Sequence, residues 1–303
     1  MKVSNTIVSI CKTVIPEPVR ALRRRYHLVK TPPIHGGSRL VSACRLLNWT
    51  AHELLNIDIG FRTQDRSRYV GQTRNRSSYL AYFQGEKDPE IQAFIRRNLG
   101  PGKVFVDVGA NIGTYTVPAA KLVGDAGKVV AIEPHPAIFR LLEKNISLNR
   151  LQNVLPVRTA IGETNGNICI AFDRCNAGQT HVTGEADLTS NGESVPIARL
   201  DDLLIERGIT EIDYLKIDVE GYEKFVLAGA QRIIAKSAAM IIQMELIHSH
   251  VARYGISCLE IAEILRTQYF VPYQLDKNGW ACQLTEADLA RDGEVFWSRK
   301  PIT

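Results

Sequence analysis

Between residues 104 and 298 the chain alternates two hydrophobic patterns. Short apolar runs with no helical period, rich in Val and Ile, occur at 104–108, 128–132, 153–157, 213–218 and 240–246. Runs of this kind read as strands buried on both faces. Stretches at 114–123, 136–149, 200–207, 221–234 and 257–267 read as helices, in several of which apolar residues recur three and four apart. The alternation predicts a doubly wound parallel sheet. A polar insertion, 162–195, rich in Gly, Thr, Asn and Ser, follows the third strand and carries a hairpin signal at Asn167–Phe172. Two late β runs, 269–275 and 294–298, flank a polar turn at Asp276–Gly279 and predict an antiparallel end to the sheet.

Upstream the pattern is weaker. Residues 1–30 read as a basic, partly helical lead-in, and Thr31–Gly37 as a turn. Leu40, Cys44 and Leu47 lie at helical spacing within 38–56, whereas Ile57–Phe61 and Tyr79–Phe83 read as short strands around a polar loop. Asp88-Pro89 opens a helix that carries Ile91, Phe94 and Ile95 on one face. These features divide the chain into an N-terminal extension, 1–87, and a main domain, 88–303.

The first core strand runs into Gly109-Ala-Asn-Ile-Gly113, a turn that opens a helix and presents free N–H groups to a ligand. The second strand ends in Glu133, 26 residues after Asp107, where dinucleotide folds grip a ribose diol. A nicotinamide site wants G-x-G-x-x-G around its pyrophosphate. Here the spacing is G-x-x-x-G, with Asn111 in the second glycine's place. That disfavours a nicotinamide oxidoreductase and favours a smaller nucleoside ligand with an amino-acid end.

A second dense stretch, Ile212-Asp-Tyr-Leu-Lys-Ile-Asp-Val-Glu-Gly221, ends a buried strand in Asp218 and turns through Glu220-Gly221. Ligands of open α/β sheets bind at the carboxyl ends of strands. Glu245 ends the run 240–246 on what reads as the neighbouring strand, roughly 4.8 Å away, so the two carboxylates can converge. Lys216 shares a strand face with Asp218 and can neutralise it. His248 and His250 follow closely, and an H-x-H after a strand acid can deliver a general base or bind metal.

The block 104–113 resembles motif I of the class I S-adenosylmethionine-dependent methyltransferases. With Arg199-Leu-Asp-Asp and the 212–230 segment downstream, the chain looks like a member of the FkbM family of methyltransferases over about 88–298. The resemblance implies a Rossmann-like, seven-stranded, mostly parallel α/β sheet with an antiparallel C-terminal strand. It implies methyl transfer from S-adenosylmethionine to a hydroxyl of a sugar, glycan or secondary metabolite. It places Asp107, Gly109 and Asn111, with Gly113 closing the turn, at the methionine end, and Glu133 at the ribose. His135 and Ala160 fall where adenine contacts lie. Asp218 is the first choice for the base, followed by Glu220, Glu245 and His248. Alternatively, Asp218 and Glu245 ligate Mg²⁺ or another divalent cation that acidifies the hydroxyl. A non-catalytic cofactor-binding protein of the same fold is the alternative from another class.

Composition narrows the setting. The 303 residues are 45% hydrophobic, enough for one sizeable core. The six cysteines form no C-x-x-C pair and read as reduced thiols in a cytoplasmic protein. No apolar run is long enough to span a membrane, and the N-terminus does not read as a signal peptide. Residues 1–90 carry 15 Lys and Arg against 7 Asp and Glu, the remainder 22 against 25. The basic third suits a phosphate-bearing acceptor or peripheral contact with an anionic membrane. No nucleic-acid motif accompanies it. Acceptor specificity is expected in the basic third, in 162–195 and in the loop after Glu245.

Overall fold

The computed structural model describes residues 39–172, 180–183 and 192–302. The basic lead-in, Cys11 and Cys175 lie outside this range. Helix α1 (Arg39–Leu55) leads into an antiparallel ribbon of β1 (Ile59–Arg62) and β2 (Arg68–Gly71), followed by α2 (Arg76–Gln84) and α3 (Pro89–Asn98). The alternating part begins with β3 (Val104–Val108), α4 (Thr116–Val123), β4 (Lys128–Ile132), α5 (Pro136–Leu148) and β5 (Val154–Val157). The polar insertion forms a separate sheet of β6 (Ala160–Ile161), β7 (Gly166–Phe172), β8 (Thr180–Thr183) and β9 (Gly192–Ala198), in the order β6-β9-β7-β8. The chain then continues through α6 (Leu200–Ile205), β10 (Tyr214–Ile217), α7 (Glu223–Gly229), α8 (Gln231–Lys236), β11 (Ile241–Leu246), α9 (His248–Val251) and α10 (Cys258–Arg266). It closes with β12 (Val271–Leu275), β13 (Ala281–Gln283) and β14 (Gly293–Ser298).

The main sheet has the order β13-β12-β14-β11-β10-β3-β4-β5. Strands β11, β10, β3, β4 and β5 run parallel, and β14 inserts antiparallel beside β11. This is the expected Rossmann-like α/β sheet, with the short β13 adding an edge strand beyond the seven. The chain moves outward from β3 to β5 and then returns to β10 on β3's other side. The strand order therefore reverses between β3 and β10, which is where open α/β sheets bind ligands.

Three local expectations are corrected. Tyr79–Phe83 is helical, because Asn75 caps α2 by accepting from Ser78 N at 2.9 Å and Gly85 ends it in the left-handed region. The ribbon's second strand is instead β2. Helix α1 forms as expected, but Leu40, Cys44 and Leu47 face solvent; Leu46 and Trp49 are the buried pair. The helix expected over 221–234 breaks at Ala230, since Gly229 packs against the Gly162 carbonyl so closely that a Cβ would lie 2.0 Å from it. The buried Asp201 carboxylate then caps α8, accepting from Arg232 N at 3.0 Å and Ile233 N at 2.8 Å.

Residues 39–87 share a core with the main sheet's helices. Trp49, Phe61, Tyr69, Tyr82 and Phe83 pack with Ile112, Val117, Ile138 and Leu141. Asn145 of α5 clasps the edge of β2, accepting from Val70 N at 2.7 Å and donating to Val70 O at 3.0 Å. No helix among the described residues is long and apolar enough to cross a membrane.

Candidate active site

A cleft enclosing about 1250 Å³, a figure that includes its open mouth, lies at the carboxyl ends of β3, β4, β10 and β11. One end is lined by Gly109, Asn111, Glu133, Pro134, Thr159 and Ala160. The other gathers Asp218, Glu220, Glu245, His250 and Glu294, with Lys87 and Arg76 reaching in from the N-terminal segment. Leu80, Ile170, Val182, Tyr222 and Ile247 supply apolar walls.

The two ends meet over a buried lysine. Lys216 stands opposite Asp107 in the β10–β3 register and lies 3.1 Å from its Oδ1. It also donates to Gly109 O at 3.0 Å and lies 3.5 Å from Asp218 Oδ2. Thr116 Oγ1 donates to Asp107 Oδ2 at 2.6 Å. Asp107 is therefore enclosed beneath the glycine turn, and it does not line the cleft. A Cβ on Gly109 would sit 1.9 Å from the Asp218 carbonyl oxygen. The absent side chain thus serves the approach of two strand ends, with φ at +81°. Gly113 likewise faces Leu142, not the cleft.

Glu133 fits a ribose diol. Its Oε2 accepts from Asn111 N and its Oε1 from His135 N, both at 2.9 Å. Asn111 sits in the left-handed region, which turns its N–H toward this carboxylate. Burial raises Glu133 to about 7, against which the two N–H donors work. Each oxygen retains a lone pair for a hydroxyl. Ala160 lines the same end. His135 does not: its Nδ1 accepts from Ala137 N at 3.2 Å and caps α5.

At the acidic end the carboxyls separate by environment. Burial disfavours ionisation of Asp218, but Lys216 and Lys87 outweigh it and hold the group below its ordinary value. Lys87 Nζ lies 3.7 Å from Asp218 Oδ2 and 3.7 Å from Asp88. Burial, reinforced by the Asp218 charge, pushes Glu220 and Glu294 up to about 8 and Glu245 to about 7. Glu220 Oε2 meets His250 Nδ1 at 3.1 Å. His248 points elsewhere, to Asp292 at 2.9 Å, and does not line the cleft.

The donor set does not suit the divalent cation expected at Asp218 and Glu245. Two ammonium groups already flank Asp218. Among the described residues no group of three or more His, Cys, Asp or Glu is arranged to hold a metal ion.

Sequence reasoning missed Lys87, Tyr115 and Glu294. Glu294 stands opposite Glu245 across the antiparallel β14–β11 pair and is hydrogen-bonded by Gln243. Tyr115 donates to Asp88 at 2.8 Å, and its ring lies 5.0 Å from Lys87 Nζ. No local pattern marked these residues; only register and the packing of residues 39–98 bring them in.

The sequence profile of the FkbM methyltransferase domain matches residues 107–272, more than half of the chain. The chain belongs to the FkbM methyltransferase family. Among relatives, the 31-O-demethyl-FK506 methyltransferase FkbM of Streptomyces tacrolimicus is 32% identical over 160 residues, covering 44% of this chain and 61% of that protein. The hexuronic acid methyltransferase AglP of Haloferax volcanii is 31% identical over 143 residues, covering 46% and 55%. The chain spans between 55% and 62% of the length of the curated relatives it matches at the FkbM domain. Among solved structures, a SAM-dependent O-methyltransferase of Thermotoga maritima aligns with a TM-score of 0.41 and 15% identity, covering 82% of this chain and 80% of that one. Within this FkbM-family protein, Lys87 and Glu294 lie outside the matched stretch.

Proposed function

We propose that this protein transfers a methyl group from S-adenosylmethionine to a hydroxyl of a sugar, glycan or secondary-metabolite acceptor. The observation that carries the reading is a single cleft with a pre-held ribose-type carboxylate, Glu133, at one end and a cluster of near-neutral bases at the other. The names of two relatives, a 31-O-demethyl-FK506 methyltransferase and a hexuronic acid methyltransferase, support an oxygen acceptor.

When bound, S-adenosylmethionine supplies an electrophilic methyl on a positive sulfur. The chain's own residues have three tasks. Asn111, Glu133 and Ala160 hold the nucleoside. Lys216 fixes the strand ends that set the distance between cofactor and acceptor, and alignment of this kind is worth on the order of 7–11 kcal/mol. A base at the acidic end removes the hydroxyl proton, worth roughly 10²–10⁴-fold. Asp218, held ionised by two lysines, is a poor proton acceptor, and its charge is matched by Lys216 and Lys87. Lys87 and Arg76 at the acceptor end suit a carboxylate or phosphate on the acceptor.

Calorimetric titration tests the reading. S-adenosylhomocysteine is expected to bind with or without Mg²⁺, and NAD not to bind. Binding of NAD alone would overturn it.

A further inference from the structure

We infer that His250, oriented by Glu220, takes the proton from the acceptor hydroxyl. The inference rests on the methyl-transfer reading above and assigns the base within it.

The geometry is built by the backbone. Gly221 has φ +105°, and a Cβ on it would lie 2.5 Å from both the carbonyl carbon and oxygen of His250. The turn that follows Asp218 is therefore pressed directly onto the backbone of α9. Glu220 itself adopts φ +56°, a left-handed conformation that a glutamate adopts only at a cost. That conformation carries its carboxylate to His250 Nδ1 at 3.1 Å. Arg253 donates to the Glu220 carbonyl at 3.5 Å, tying the same turn to the end of α9. Both side chains line the cleft and are largely covered, at 17% and 19% exposure. With Nδ1 spent on Glu220, Nε2 is the ring nitrogen that can meet an acceptor. A base with its other nitrogen fixed by a carboxylate has one tautomer and one orientation.

An oxygen lone pair of the acceptor forms the new C–O bond to the methyl carbon. The C–S bond breaks, and its electron pair stays on sulfur as the thioether of S-adenosylhomocysteine. The hydroxyl proton passes to His250 Nε2 and from there to water.

The surrounding charges decide when Nε2 can accept. Burial raises Glu220 to about 8, helped by Asp218, Glu245 and Glu223 and opposed by Arg253. Burial lowers His250, with Arg253 acting in the same direction and Asp292 and Asp218 against it. Near neutrality the carboxyl keeps its proton and donates it to Nδ1, so the ring's own hydrogen occupies Nε2. Loss of the carboxyl proton turns the bond around: Nδ1–H donates to the carboxylate, and Nε2 is left with a lone pair. On this assignment the pair becomes base-competent as pH rises through about 8.

Long-range ¹H–¹⁵N NMR on the histidine-labelled full chain reads this without turnover. The His250 ring is expected to change from the Nε2–H to the Nδ1–H tautomer with a midpoint near 8. Glu220→Gln is expected to abolish that transition and leave an ordinary imidazolium titration below 6.5. A His250 titration unchanged by Glu220→Gln would overturn the inference. With methyl glucoside and glucuronic acid as probe acceptors, His250→Asn is expected to lower kcat roughly 10²–10⁴-fold, with S-adenosylhomocysteine affinity retained. Turnover within about threefold of wild type would move the base to Glu245. Failure of the wild-type protein to bind S-adenosylhomocysteine would instead overturn the methyl-transfer reading; the tautomer transition would then still decide the pair.

Discussion

Lys216→Met removes one partner of a buried ion pair and leaves the other behind. Lys216 and Asp107 are both almost fully enclosed, their charged atoms 3.1 Å apart. At an effective dielectric of about 20 that separation is worth roughly 5 kcal/mol of attraction. Methionine fills the space of the lysine stem but supplies no charge and no donor for the Gly109 carbonyl. Asp107 would retain only the Thr116 hydroxyl. Truncating one side of a buried pair costs about 3–5 kcal/mol, and that range is expected here. The assay is urea denaturation followed by tryptophan fluorescence, to which the buried Trp49 and Trp297 contribute. The double variant Asp107→Asn with Lys216→Met removes both charges and is expected to recover more than half of the loss, because an uncompensated buried carboxylate is what the single variant suffers. A single-variant cost under about 1 kcal/mol, the range of solvent-screened pairs, would refute the argument.

Three further predictions follow from the same geometry. Glu133→Gln keeps one carboxyl-type acceptor but loses the charge; since hydrogen bonds to a charged group are worth about 1.5–3 kcal/mol, S-adenosylhomocysteine affinity by calorimetry is expected to fall roughly ten- to hundredfold, and unchanged affinity would remove the ribose role. Glu133→Ala is the poorer test, because it also strands the N–H groups of Asn111 and His135. Stability depends on pH through Glu133, Glu220, Glu223, Glu245 and Glu294, all raised from 4.5 to about 7 or 8 by burial. The folded protein holds more protons than the unfolded chain between about 4.5 and 8, so stability falls as pH rises through that window; a melting temperature at pH 8.5 equal to or above that at pH 6 would contradict this. Leu46→Ala is expected to cost about 2–5 kcal/mol and Leu47→Ala less than about 0.5 kcal/mol, measured by urea midpoints; equal costs would overturn the buried face assigned to α1.

Much of this fold was legible because its signals are local. Four of the five parallel strands carry near-continuous apolar runs because both their faces are covered, whereas the edge strand β5 leaves Leu155 exposed. Glu133, Asp218, Glu220 and Glu245 were legible as strand-end acids, because ligand sites of such sheets lie at carboxyl ends. Helix α1 was legible as a helix from its period, but its buried face was not. Its stripe of Leu40, Cys44 and Leu47 competes with a second face containing Trp49, and burial of that aromatic against Tyr82 and Phe83 decides the orientation.

What only the tertiary structure decided is which charges meet. Lys216 and Asp107 are paired by strand register, and Glu294 reaches the cleft because β14 runs antiparallel beside β11 and sets it opposite Glu245. Lys87 arrives from a segment whose packing depends on α4 and α5. The choice of His250 over His248 follows from two residues' advance along α9, which sends one ring to Glu220 and the other to Asp292. The sequence by itself determined most of the elements, the strand-end acids and the glycine turn between β3 and α4, because these depend on neighbours a few positions apart. Protonation states and partners depend on burial and on charges from distant segments, and those quantities exist only once the chain has folded.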